Sequence, residues 1–66
     1  MSNESTFFIL LIEKYAYYRG MKGNEVLELF KSHNLMDYIY DMYELYHIET
    51  LENAFEDLDR KLNFTP

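Results

Sequence analysis

Glu44-Leu-Tyr-His47 puts a carboxylate and an imidazole three residues apart. On a helix that spacing sets both side chains on one face, and helical di-iron carboxylate sites use it. Asp41 precedes the pair by one turn. Such a site needs two of these motifs plus two more carboxylates from other helices. This chain carries one copy, so only a homodimer using Glu44 and His47 twice could complete a small helical metalloprotein or enzyme. The plainer reading of His47 is a helix-end side chain that bonds terminal carbonyls.

Other routes to catalysis are thin. Cysteine is absent, so there is neither a thiol nucleophile nor a disulfide or thiolate metal site. His33 and His47 are the only side chains that ordinarily titrate near neutral pH, and both fall near expected helix ends. Ser2, Ser5 and Ser32 belong to a tail and a helix surface, and no glycine-rich phosphate loop occurs. The residues therefore argue against an enzyme, with no catalytic, cofactor-binding or metal-binding residues assigned.

The remaining chemistry is that of recognition. Residues 1–33 carry four acids and four bases. Residues 34–66 carry eight acids and two bases, so the whole net charge of −6 lies in the second half. An acidic half of this kind repels nucleic acid and anionic membranes and attracts basic surfaces. Asp37, Asp41 and Glu44 recur at i, i+4, i+7, and so do Glu52, Glu56 and Asp59. Each set predicts a line of carboxylates on a helix surface. Tyr40 and Tyr43 adjoin the first line, and exposed tyrosine is enriched at protein interfaces. The expected partner-binding residues are thus Asp37, Tyr40, Asp41, Tyr43, Glu44, Glu52, Glu56 and Asp59, acting on a more basic protein. The competing reading is a solubilising surface with incidental tyrosines.

Four apolar-periodic segments must position these groups. Helix is expected over about 6–19, with Phe8, Leu11, Ile12, Tyr15 and Tyr18 inward, then a Gly20-Met-Lys-Gly23 turn. A second helix is expected over about 23–33, with Val26, Leu27, Leu29 and Phe30 inward and Asn34 ending it. A third runs over about 36–47, burying Tyr38, Ile39, Met42, Leu45 and Tyr46. Thr50 caps a fourth over about 51–62, whose face is Leu51, Ala54, Phe55, Leu58 and Leu62. The pattern predicts about 70% helix, no sheet, and one all-α domain, a compact bundle of three to four short helices.

The chain is 66 residues long, 48% apolar and 18% aromatic. A domain of that size has little interior, so part of this apolar surface is expected outside. Helix 1 has the most to spare, with Phe7, Ile9 and Leu10 around its main face, which points to a homodimer through helix 1. The longest apolar run, Phe7 to Ile12, is far short of the ~20 residues of a membrane span. Glu4 stands where a signal peptide has a basic flank, so a cytoplasmic protein is expected.

Phe7-Phe8-Ile9 with Ile12-Glu13, then Gly23-Asn-Glu-Val-Leu-Glu-Leu-Phe30, then Asp37-Tyr-Ile-Tyr40 and Tyr43-Glu-x-x-His47 together resemble a family of short bacterial proteins of unknown function. The resemblance covers nearly the whole chain. The resemblance implies a gene lying beside one for an ADP-ribosyltransferase-like toxin, and with it an antitoxin or accessory role; it carries over no catalytic residue. Lys22 departs from the pattern, because a Ser or Thr helix cap is expected just before Gly23.

Overall fold

A computed structural model describes residues 3–64. Ser2 and the terminal Pro66 lie outside the described residues. Five helices follow one another: α1 (Asn3–Arg19), α2 (Gly23–Ser32), α3 (Met36–Asp41), α4 (Tyr43–Ile48) and α5 (Leu51–Lys61). Helix makes up 81% of the structure and there is no strand among the described residues, so the protein is all-α. The excess over the expected share comes partly from α1, which starts at Asn3 rather than Thr6.

One capping device ends three of the helices. Gly20, Asn34 and Asn63 each take a left-handed backbone, with φ of 68°, 56° and 61°. In each case the next residue donates its N–H to a carbonyl five residues back: Met21 to Ala16, Leu35 to Phe30 and Phe64 to Asp59, all at 2.8 Å. These bonds satisfy the orphan carbonyls of a helix end, and the donor's apolar side chain folds back on the bundle. Leu35 is buried as a result, while Met21 and Phe64 pack partly against the core. Two helix starts are also capped by side chains. Thr50 Oγ1 accepts from the Asn53 N–H. At Lys22, which lacks a capping oxygen, Glu25 reaches back instead and accepts the Lys22 N–H at 2.8 Å.

The core is drawn from all five helices. Leu11, Tyr15, Val26, Phe30, Ile39, Ala54 and Leu58 are almost completely enclosed. Tyr15 of α1 touches Phe30 of α2 and Phe55 of α5, with ring centroids 5.9 and 5.6 Å apart. The apolar face expected on the last helix is the one α5 buries.

Tyr18, expected inward, is 51% exposed. Two further expectations need correction. The third helix is not continuous: at Met42 the backbone turns to φ −87°, ψ 5°, and α3 gives way to α4. The Met42 N–H still reaches Tyr38 O and Ile39 O, so the chain pivots without losing its bonds. Adjacent rings of α1 hold the two pieces. Phe8 stacks on Tyr40 of α3 at 4.8 Å, whereas Phe7 meets Tyr43 of α4 edge-on at 5.5 Å. The pivot leaves Leu45 exposed rather than inward. Secondly, Asp59 is not on the surface but is 7% exposed, inside the α1–α5 contact.

Candidate protein-interaction surface

Two open grooves adjoin along α4. The first, about 460 Å³, lies between α1 and α4 and is lined by Phe7 and Leu10 from α1, Tyr43, Tyr46 and His47 from α4, and Leu51 from α5. The second runs over the outer side of α4, along Asp41, Glu44, Leu45 and Ile48. Tyr43 and His47 border both. Their rings stack at 5.3 Å, and Phe7 meets His47 edge-on at 6.1 Å, so three rings form a ridge. Residues i and i+4 of a helix share a face, which is why Tyr43 and His47 meet. Buried Tyr46 turns the remainder of α4 outward. Ile48 is 80% exposed at its end and Leu10 is 44% exposed opposite.

The charge around these apolar walls has one sign. Asp41, Glu44 and Glu49 line the grooves and no lysine or arginine among the described residues does. Of the expected binding residues, the structure thus brings Asp41, Tyr43 and Glu44 together. Asp37 is exposed on α3, and Tyr40 is half-exposed on its Phe8 stack.

The second carboxylate line does not form one surface. Glu52 borders a groove with Lys14, Tyr17 and Tyr18. Glu56 borders a different one with Met42, Leu45 and Arg60. Asp59 accepts hydrogen bonds from Tyr15 Oη at 2.6 Å and Tyr18 Oη at 3.0 Å, with Arg19 Nη1 at 3.6 Å. Burial pushes the Tyr15 phenol well above its usual range, and the bond to Asp59 adds to the rise. The hydrogen bond to Asp59 also raises Tyr18.

A matching cluster surrounds Asp57 on the other side of α5. Tyr38 of α3 and Tyr46 of α4 both donate to Asp57 Oδ2, the latter at 2.5 Å, and Arg60 Nη2 lies 3.5 Å from Oδ1. Lys61 sits 4.7 Å over the Tyr38 ring. Burial pushes the Asp57 carboxyl up. The two phenol hydrogen bonds, with Arg60 and Lys61, outweigh that and hold it below its ordinary value. Burial raises the Tyr46 and Tyr38 phenols, and their bonds to Asp57 reinforce it. These carboxylates are already occupied by the protein's own donors, so they act as ties between helices. Asp57 forms an ion pair with Arg60, three residues on.

Glu44 and His47 share the α4 grooves, but no group of three His, Asp or Glu side chains that could hold a metal ion occurs among the described residues. The sequence reading missed Ile48 as part of this surface. It stands as the last apolar residue of the segment and fits no inward position of the periodicity. Phe7 and Leu10 were legible only as surplus on helix 1.

The helical pattern that carries this surface spans the length matched by one family model, described as a protein of unknown function (DUF3791), over residues 6–63. The chain belongs to that family. The match begins one residue before Phe7 and ends one before Phe64, so Phe7, Leu10, all of α4 and the last helix cap at Asn63 fall inside the family's span. No curated protein and no solved structure matches the chain. No described helix is long and apolar enough to cross a membrane.

Proposed function

We propose that this member of the family works by binding rather than by catalysis, taking a more basic protein on its α3–α4 side. One observation carries the reading: two adjoining grooves with apolar walls, Leu10, Tyr43 and Leu51 in one and Leu45 and Ile48 in the other, are bordered by Glu49, Asp41 and Glu44 and by no lysine or arginine among the described residues. Solvated surfaces ordinarily mix charges of both signs. The sharpest form is an antitoxin or accessory role toward a co-encoded toxin; it rests on the sequence resemblance, and the acidic groove supports it.

The experiment is a binding titration against the product of the neighbouring gene. Asp37→Lys with Asp41→Lys is expected to slow association and flatten its salt dependence, because charges at a rim mainly steer encounter. Tyr43→Ala is expected to weaken binding by about 2 kcal/mol or more, as a central anchor does. Unchanged rates and affinity in both folded variants would reduce the acidic face to a solubility device.

Ile9, 50% exposed beside Leu10, supports a second reading, self-association through α1. Sedimentation at rising concentration tests it, with a concentration-independent monomer of 8.1 kDa as the negative result.

A further inference from the structure

We infer that the two adjoining grooves along α4 together receive a single amphipathic helix from a basic partner, its apolar face on Leu10, Tyr43 and Ile48 and its lysines or arginines on Asp41, Glu44 and Glu49. This rests on the binding function just proposed and adds the form of the ligand and its seat.

Three observations lead to it. The walls are helices, and no strand edge exists among the described residues. An extended peptide would find nothing to pair with, whereas a helix arrives with its backbone already satisfied. The α1 wall runs from Asn3 to Leu10. At 1.5 Å per residue that is about 10 Å, or two turns, enough for apolar side chains at i, i+3 or i+4, and i+7. Finally, the acids fix the sign of the occupant. A second copy docking by the same groove would set Asp41, Glu44 and Glu49 against their own counterparts, while a helix with basic flanks meets them with opposite charge.

The test is a titration of the full chain, followed by amide chemical shifts, with three synthetic peptides. One is a leucine–lysine peptide with leucines at helical spacing. The second is the same composition shuffled to have no apolar face. The third replaces lysine by glutamate. The helical lysine peptide is expected to bind about tenfold or more tightly than either control, since the controls lose the apolar match or the charge match. Shift changes should centre on Leu10, Tyr43, His47 and Ile48. Ile48→Ser, at an 80% exposed position that leaves the fold intact, should weaken binding several-fold. Glu44→Lys with Glu49→Lys should do the same and remove the salt dependence.

Equal binding of the shuffled lysine peptide, or shifts centred on Glu52 and Glu56, would overturn the helix-in-groove assignment while leaving a basic partner in place. Equal binding of the glutamate peptide would overturn both. Absence of binding by the helical lysine peptide, or a homodimer in sedimentation whose contacts cover Tyr43 and Ile48, would overturn the assignment as well.

Discussion

The Tyr15 hydroxyl donates a 2.6 Å hydrogen bond to Asp59 Oδ1 across 44 residues of sequence, joining the first helix to the last. Both residues are buried, and Tyr18 Oη takes the second carboxylate oxygen. Two residues earlier, Asp57 repeats the arrangement with Tyr38 and Tyr46. Residues i and i+2 point to nearly opposite sides of a helix. One α5 segment can therefore tie itself to α1 on one side and to α3 and α4 on the other.

Removal of the first tie should be costly. Tyr15→Phe takes a donor from a buried carboxylate, and bonds to charged groups contribute about 1.5–3 kcal/mol. Asp59→Ala should cost at least as much, because it leaves the Tyr15 hydroxyl enclosed without an acceptor. Urea unfolding followed by circular dichroism checks both, and midpoints equal to the parent's would show that Asp59 is dispensable.

The second tie should set acid stability. Asp57 has its carboxyl held below the ordinary value, so its contribution is present above that value and is lost as pH falls through the native one. Tyr38→Phe with Tyr46→Phe removes the donors that lower it. In the double variant the pH dependence of stability below about pH 4 should flatten. Denaturant titrations at a series of acid pH values give the answer, and an unchanged slope would contradict the assignment.

At the alkaline end the sign reverses. Tyr15 and Tyr46 have raised phenol pKa values, so their contribution is intact below the ordinary tyrosine value of about 10 and is lost as pH climbs beyond it. Part of the tyrosinate absorbance should therefore appear only together with loss of helix, as Tyr15 and Tyr46 ionise. A single smooth titration with helix retained would contradict the buried ties.

Core truncation should be nearly disabling. Phe55 is 9% exposed and touches the rings of both Tyr15 and Tyr18. Phe55→Ala should cost about 3–5 kcal/mol, comparable with the whole stability of a domain of this length. Tyr17→Ala, at 89% exposure, should change stability by less than about 0.5 kcal/mol. Thermal melts of the pair provide the contrast, and a cooperative, barely shifted Phe55→Ala melt would refute the packing.

The helix stops give a further test. Asn34 holds a left-handed backbone that costs a residue with a β-carbon about 1–2 kcal/mol and that asparagine tolerates best after glycine. Asn34→Ala should thus lower stability by about 1 kcal/mol, whereas Asn34→Gly should be near neutral. Equal melting of the two variants would remove the cap from the account.

Local signals were strong enough for the sequence to determine most of the elements. Spacing of Leu51, Ala54, Phe55, Leu58 and Leu62 defined α5, and Thr50 marked its start, because amphipathic period and capping act within a few residues. Gly20 and Asn34 marked two stops for the same reason. Charge position was also legible, since it needs only counting. What tertiary structure alone decided was the destination of groups whose neighbours are distant in sequence. Asp59 sits at the same helical spacing as Glu52 and Glu56, yet it is buried because Tyr15 and Tyr18 of α1 reach it. Met42 carries no breaker residue, yet α3 and α4 part there, where Phe7 and Phe8 seize different tyrosines. The two grooves exist for the same reason: Leu10 lines the one between α1 and α4 and Ile48 the one on the outer side of α4, and only the packing of α1 beside α4 lets them adjoin at Tyr43 and His47.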